Sequence, residues 1–209
     1  MARLTDAKCK KCRRAGDKLF LKGDRCYGQK CAMVKRPYAP GIHGKARRRR
    51  ASEFSTQLAA KQRVRLAYGL MEKQFKKYFS EALNKKGDTR QNLMKKLEMR
   101  LDNVIFRAGL AKSRSLARQL VSHKHVLVSG KPVNVASYEV KEGQVISFKE
   151  RIKKSSMFEN IATALKNYQA PSWINLDIEK MEIKIISQPS SEDLGNLAAL
   201  NLIVEFYSR

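Results

Sequence analysis

Four cysteines stand within the first 31 residues and none follows them. Cys9, Cys12, Cys26 and Cys31 read C-x2-C-x13-C-x4-C, two close pairs separated by a short loop. That is the spacing of a tetrahedral metal site, in which each pair grips from one turn and the loop brings the pairs together. Four thiolates leave Zn²⁺ no open position, so the expectation is one structural zinc per chain and not a catalytic metal. Lys8, Lys10, Lys11, Arg13 and Arg14 surround the first pair. Their charge favours the thiolates and offsets the negative site. Two disulfides, or idle thiols, are the alternatives. Disulfides need an oxidising compartment, and residues 1–8 hold no apolar run of the kind a secretion signal uses.

Other catalytic constellations fail. Gly41-Ile42-His43-Gly44-Lys45 hints at a phosphate loop, but the glycines are too close and Ala46 stands where Ser or Thr would meet Mg²⁺. No G-x-G-x-x-G follows a strand, which argues against a dinucleotide or methyl-donor fold. His43, His123 and His125 have no nucleophile partner implied by sequence, and His123-Lys124-His125 reads as a polar turn able to meet phosphate.

The charge points to a polyanion. Lys and Arg number 44 against 19 Asp and Glu, a net charge of +25 and a pI near 10.2. Such an excess repels itself unless a partner neutralises it, and nucleic acid is the leading candidate. No apolar stretch of about 18 residues, amphipathic anchor or lipidation motif favours a membrane. The excess is uneven: residues 1–50 carry 17 basic and 3 acidic side chains, residues 151–209 carry 7 of each. The polyanion is therefore expected along the first three-quarters, leaving the last quarter to pack on protein. Lys45 and the run Arg47-Arg48-Arg49-Arg50 read as an arm laid on phosphates, against the bland alternative of a solvated strip.

The elements that must position these groups follow from periodicity. Val64, Tyr68, Met71, Phe75, Tyr78, Phe79 and Leu83 recur at helical spacing over 54–86, with a break at Tyr68-Gly69 and Gly87 as C-cap. A helix is predicted over 90–107, with Leu93, Leu97, Leu101, Val104 and Ile105 buried. Another starts at the N-cap Ser113 and buries Leu116, Ala117, Leu120 and Val121. Arg114 and Arg118 lie four apart on its other face, where like charges oppose an isolated helix by roughly 0.3 kcal/mol. Phosphate would reverse that sign. The period then falls to two: strands are predicted at 126–128, 133–135 and 145–148, with Ser129-Gly130-Lys131-Pro132 as a turn. Ser156 to Glu159 form a capping box for a helix reaching about Tyr168. Further strands are expected at 173–178, 181–186 and 200–206.

Ordered motifs along the chain resemble the fourth protein of the bacterial small ribosomal subunit. They are Phe20-Leu21-Lys22, Ala39-Pro40-Gly41-Ile42-His43-Gly44, Lys61-Gln62-Arg63-Val64-Arg65, Arg100-Leu101-Asp102-Asn103, Ala117 to Lys124, Val133 to Tyr138 and Leu202 to Ser208. With all four cysteines present, the chain is similar to the zinc-binding form. The resemblance implies an α+β protein: a zinc-pinned, basic segment (1–50), a helical domain (51–97, completed by about 185–209), and an inserted RNA-binding module of helices on a short antiparallel sheet (98–160), which 161–184 continues. It implies a non-enzymatic, primary binder of small-subunit ribosomal RNA that nucleates the subunit body. It also implies contact with the fifth small-subunit protein, a share with the twelfth in decoding accuracy, and an arginine arm near messenger RNA at the mouth of its channel. The expected setting is the ribosome of the bacterial cytoplasm, or an organellar copy, without homo-oligomers. RNA contacts are expected from Lys45, Arg47, Arg48, Arg49, Arg50, Lys61, Arg63, Arg65, Arg114, Arg118, His123, Lys124 and Lys131.

Two other classes compete. The same module is appended to RNA-modifying enzymes, and Arg100-Leu101-Asp102 is similar to a pseudouridine-synthase catalytic stretch. However, Met99 and Asn103 depart from that motif, and the flanks leave no room for a catalytic domain. A zinc-ribbon DNA regulator needs a recognition helix after Cys31, where the sequence reads as loop.

Overall fold

Clustered cysteines and basic turns at the start of the chain fold with the last helix, while the stretch of alternating apolar residues folds apart from them. The computed structural model describes residues 4–46, 50–155, 158, 161, 165, 168–190 and 198–208. The chain divides into two units, Met1–Leu93 with Asn196–Arg209, and Met94–Gly195. None of the described helices is long and apolar enough to cross a membrane.

In the first unit, α1 (Lys8–Ala15) ends at Gly16, whose φ of 72° makes the left-handed cap that a side chain would resist. Single-turn helices α2 (Asp24–Tyr27) and α3 (Ala32–Lys35) and a 3₁₀ turn (Ile42–Lys45) follow. This segment is more helical than the loop-rich reading of 1–50. At Gly44 a Cβ would collide with the carbonyl oxygen of Ala39. α4 (Glu53–Ala67) starts at Ser52, whose hydroxyl accepts from the Ser55 N–H. α5 (Glu72–Leu83) buries Phe75, Phe79 and Ala82. Its cap is Asn84, so the Gly87 cap is a correction. Leu83, expected on the buried stripe, is exposed, while Ala82 is buried in the same turn.

A larger correction concerns 200–206, expected as strand. These residues lie in a helix, α10 (Ala198–Tyr207), numbered for its place at the end of the chain. Leu200 and Ile203 are buried, and Tyr207 stacks on Phe79 with ring centroids 4.5 Å apart. The 3–4 spacing of 200, 203 and 207 was masked by an Ile-Val-Phe-Tyr composition of high strand propensity. Packing against helices overrides that propensity.

The unit boundary falls inside α6 (Thr89–Glu98). The expected single helix over 90–107 is broken at Met99-Arg100, and α7 (Leu101–Arg107) begins afresh. The reason lies in the backbone. The Leu101 and Asp102 N–H groups donate to the carbonyls of Tyr138 and Ala136, and the Val140 N–H donates to Met99. Arg100 is thereby held extended. α8 (Arg114–Ser122) has the expected cap: Ser113 Oγ accepts from the Leu116 N–H.

Strands β1 (Val126–Val128), β2 (Lys131–Val133), β3 (Val145–Phe148), β4 (Ile174–Asp177) and β5 (Glu182–Ile185) form one antiparallel sheet of order β2-β1-β3-β5-β4. Lys131 and Pro132 belong to β2, so the turn is Ser129-Gly130 alone. Both residues have positive φ (47° and 80°), as a tight two-residue hairpin requires. A short helix, α9 (Glu150–Lys153), follows β3. Ser156, Met157 and Glu159 of the capping box lie outside the described residues, but Phe158, Ile161 and Leu165 have helical backbone and are buried. The inward residues Val126, Val128, Ile146, Phe148, Ile183 and Ile185 pack with these and with α7, α8 and Trp173 into one core. Each large side chain fully buried there contributes roughly 1.5–3 kcal/mol.

Candidate nucleic-acid interface and cysteine cluster

α1 carries Cys9 and Cys12 one turn apart, α2 carries Cys26, and Cys31 stands at the start of α3. All four are free thiols. They line one cavity of about 20 Å³ together with Lys8, Leu21, Lys22, Arg25, Ala32 and Met33, room for an occupant the size of one water or ion. The Lys22 N–H donates to Cys26 Sγ at 3.3 Å. Burial pushes the Cys12 thiol up from its ordinary value, and the charges of Cys26, Cys9 and Cys31 push the same way against a backbone hydrogen bond from Leu19. Burial and the cations Lys22 and Lys11 lower Lys8, against the pull of Cys26. The Cys12 thiol thus feels the other three sulfurs. The donor chemistry and the pairing suit Zn²⁺. The arrangement is nonetheless open: among the described residues no group of three or more His, Cys, Asp or Glu is placed to hold a metal.

Below this cluster Arg13 ties the segment together. Its Nε and Nη2 donate to the carbonyls of Tyr38 and Ala39 at 2.9 and 3.1 Å, and its guanidinium lies over the Tyr38 ring. Lys45 approaches the same ring at 5.3 Å. Arg50 is exposed, while Arg47, Arg48 and Arg49 lie outside the described residues.

Three cations expected to face RNA divide. Arg63 is exposed and lies 3.8 Å from Asp17. Lys61 is turned inward, a correction. It is only 5 % exposed, its Nζ donates to Glu72 at 2.6 Å, and it sits 4.3 Å from the centre of the Phe206 ring. Arg65 is also drawn inward, 3.4 Å from Glu72 and donating to Gln62 at 2.8 Å. Tyr207 donates its hydroxyl to the same carboxylate. Burial works against the Glu72 carboxylate, but the hydrogen bonds from Lys61 and Tyr207 and the charges of Lys61 and Arg65 outweigh it and hold its pKa below the ordinary value. A helix-face pattern on α4 reads these residues as solvated because Glu72 stands on the next helix and, for Lys61, Phe206 and Tyr207 stand on α10.

The second unit holds a polar network that the apolar stripe of α7 concealed. Arg100 and Asp102 are buried and paired at 2.6 Å. Asp102 is thus held inside the protein by Arg100, which gives it a packing role beside the Met99 and Asn103 departures from the synthase motif. Asn103, fully buried, donates to Glu98 Oε2 at 2.7 Å and accepts from Arg114 Nε at 2.8 Å. Arg107 closes on Glu98 at 2.8 Å. Arg114 also lies over the Phe106 ring at 4.5 Å. Its stem and one donor are therefore fixed by protein before any phosphate arrives. Arg118 is half-buried one turn on, and His123, Lys124 and Lys131 are exposed at the end of α8, the following turn and β2. The polar Asn103 between Leu101 and Val104 was the available signal for this network.

A family model described as "Ribosomal protein S4/S9 N-terminal domain" matches residues 3–98, and one described as "S4 domain" matches 99–146. Proteins named small ribosomal subunit protein uS4 from Halothermothrix orenii and Natranaerobius thermophilus are 47 % and 46 % identical over 209 residues, covering all of both chains. The protein named uS4A from Alkaliphilus oremlandii is 48 % identical over the same span. The chain belongs to the uS4 family. These relatives are named as ribosomal proteins, not enzymes. Within the uS4 frame, the four cysteines and Lys45, Arg50 and Arg63 fall in the N-terminal domain. Arg114, Arg118, His123, Lys124 and Lys131 fall in the S4 domain.

Proposed function

We propose that this chain is a structural constituent of the small ribosomal subunit, a primary ribosomal-RNA binder that nucleates assembly of the subunit body. The observation that carries this reading is full-length identity of nearly half with proteins named for that subunit. A net charge of +25 supports it. The S4 domain's preset Arg114 is a phosphate-seeking group held in place beforehand, and Arg118, Lys124 and Lys131 extend the same basic surface. Cys9, Cys12, Cys26 and Cys31 hold one structural Zn²⁺ in this reading, which makes the chain the zinc-binding form. Bound there, the metal would be held by four thiolates and would tie α1, α2 and the start of α3 together. The finer roles belong to the same proposal: contact with the fifth small-subunit protein, accuracy shared with the twelfth, the Arg47–Arg50 arm near messenger RNA, and residence in the ribosome of the bacterial cytoplasm.

The test uses the full chain and transcribed small-subunit ribosomal RNA. Saturable binding is expected, tighter than to an unrelated RNA of equal length. Equal affinity for both would refute specific ribosomal-RNA recognition. Elemental analysis of the purified protein is expected to give stoichiometric zinc, and its absence would remove the metal part alone.

A further inference from the structure

Phe20, in the loop between the cysteine pairs, and Tyr27, at the end of α2, place two aromatic rings where a folded chain seldom leaves them. Tyr27 is 71 % exposed and Phe20 is 37 % exposed. Their rings meet at 5.0 Å with a 31° tilt, so Phe20 backs one face of Tyr27 and much of the rest meets solvent. Phe20 also has φ of 50°, a left-handed backbone that bulky L-residues rarely adopt. Strain of that kind persists where the surroundings fix it, and such residues cluster at binding sites. Lys18, Lys22, Arg25 and Lys30 lie within three residues of one ring or the other and are all exposed, against two acids at that distance, Asp17 and Asp24. An exposed π-face with exposed cations near it in sequence suits one chemistry: a base stacks on the ring while its phosphates meet ammonium and guanidinium groups.

We propose that Tyr27, backed by Phe20, is a stacking platform for an unpaired base of ribosomal RNA. This subsite rests on the ribosomal-RNA reading above and adds to it the class of nucleotide that the N-terminal domain takes. A duplex offers the platform nothing, since its bases are stacked on one another; a bulge, loop or junction offers an open base. The charge around the rings favours RNA over an apolar protein surface as the occupant.

The experiment compares full-length wild type, Tyr27→Leu and Tyr27→Phe on transcribed small-subunit ribosomal RNA across a salt series. Tyr27 is at the surface, so the variants should match wild type in circular dichroism and melting. Tyr27→Leu should bind roughly tenfold more weakly, the scale of one missing base–aromatic stack, with an unchanged salt slope because every phosphate keeps its cation. Tyr27→Phe should bind like wild type, and ultraviolet irradiation of the wild-type complex should crosslink a nucleotide to the Tyr27 peptide. The proposal is overturned if Tyr27→Leu binds like wild type, if Tyr27→Phe is as weak as Tyr27→Leu, or if Tyr27→Leu binds RNA normally and fails only in the presence of other subunit proteins. If wild type itself does not distinguish ribosomal from unrelated RNA, both readings fall. If wild type distinguishes them and Tyr27→Leu does so equally well, only the subsite falls.

Discussion

Among the described residues, the segment 4–46 buries Leu19, Ala39 and three cysteines, whereas the Met94–Gly195 unit buries a continuous apolar core from Met99 to Ile185. The first is held by point attachments: Arg13 on two carbonyls, cation–ring contacts at Tyr38, and thiols around a small cavity. The second is held by area. Point attachments depend on ionisation state and ligands, while buried area depends mainly on shape. A unit of the first kind can be switched by chemistry that leaves the second untouched.

The largest expected effect tests that contrast directly. Structural zinc supplies roughly 10–16 kcal/mol in small zinc-binding peptides, and were the proposed zinc bound here, little apolar burial in 4–46 would stand behind it. Chelation, or Cys12→Ser, should abolish hydrogen-exchange protection there. The unfolding transition seen by Trp173, the single tryptophan, should not move. A shift of that transition would show that the two regions share their stability.

The converse break is Phe148→Ala. Phe148 is 2 % exposed and meets Phe158 edge-on at 5.0 Å, so truncation should cost about 3–5 kcal/mol. Urea unfolding followed by Trp173 fluorescence should show the loss. A cost near zero would mean that the core is less continuous than its burial implies.

A smaller effect concerns pH. The Glu72 pKa lies below its ordinary value in the folded state, so its contribution is complete above the ordinary glutamate range and fades as pH falls through the folded value. Tyr207 is shifted the other way: burial first, then the hydrogen bond and charge of Glu72, hold the phenol neutral. Its contribution is complete below the ordinary tyrosine range and fades as pH rises beyond it. Glu72→Gln should flatten both limbs of a stability–pH curve measured by thermal melting. Unchanged limbs would remove the Lys61–Glu72–Tyr207 cluster from the account.

The last effect is on binding. Arg114→Ala with Arg118→Ala should cost about 1–3 kcal/mol, because buried Asn103 loses its donor, and should lower the salt slope of RNA binding by roughly 0.7–0.9 for each phosphate left without its cation. An unchanged slope would place the S4-domain contacts elsewhere.

Local signals carried much of the fold. Ser113 as a cap, Val126 and Val128 alternating, and the break at Tyr68-Gly69 each depend on neighbours a few residues away, and each is found. What escaped depends on distant partners. The break at Arg100 is imposed by carbonyls of Ala136 and Tyr138. The helix at Leu200–Phe206 is imposed by packing with Phe79 and Phe54. Lys61 looked like a surface cation because Glu72 and Phe206 were not visible beside it. At the candidate site the cysteine spacing and the basic gradient were legible from composition, but the Asn103 hold on Arg114 was not.

α4 and α10 meet through Gln57 and Glu205, residues 148 positions apart. On a ribosome making this chain, the helices that open the first unit emerge long before the one that completes it. The S4-domain unit, with its whole core encoded in one continuous stretch, is finished in between. Order of synthesis and order of folding therefore differ: the middle can close first, while the beginning waits for the end. Nascent chains stalled before residue 198 should carry a folded second unit and an exposed α4–α5 surface, which makes the late arrival of one ten-residue helix the step that seals the molecule.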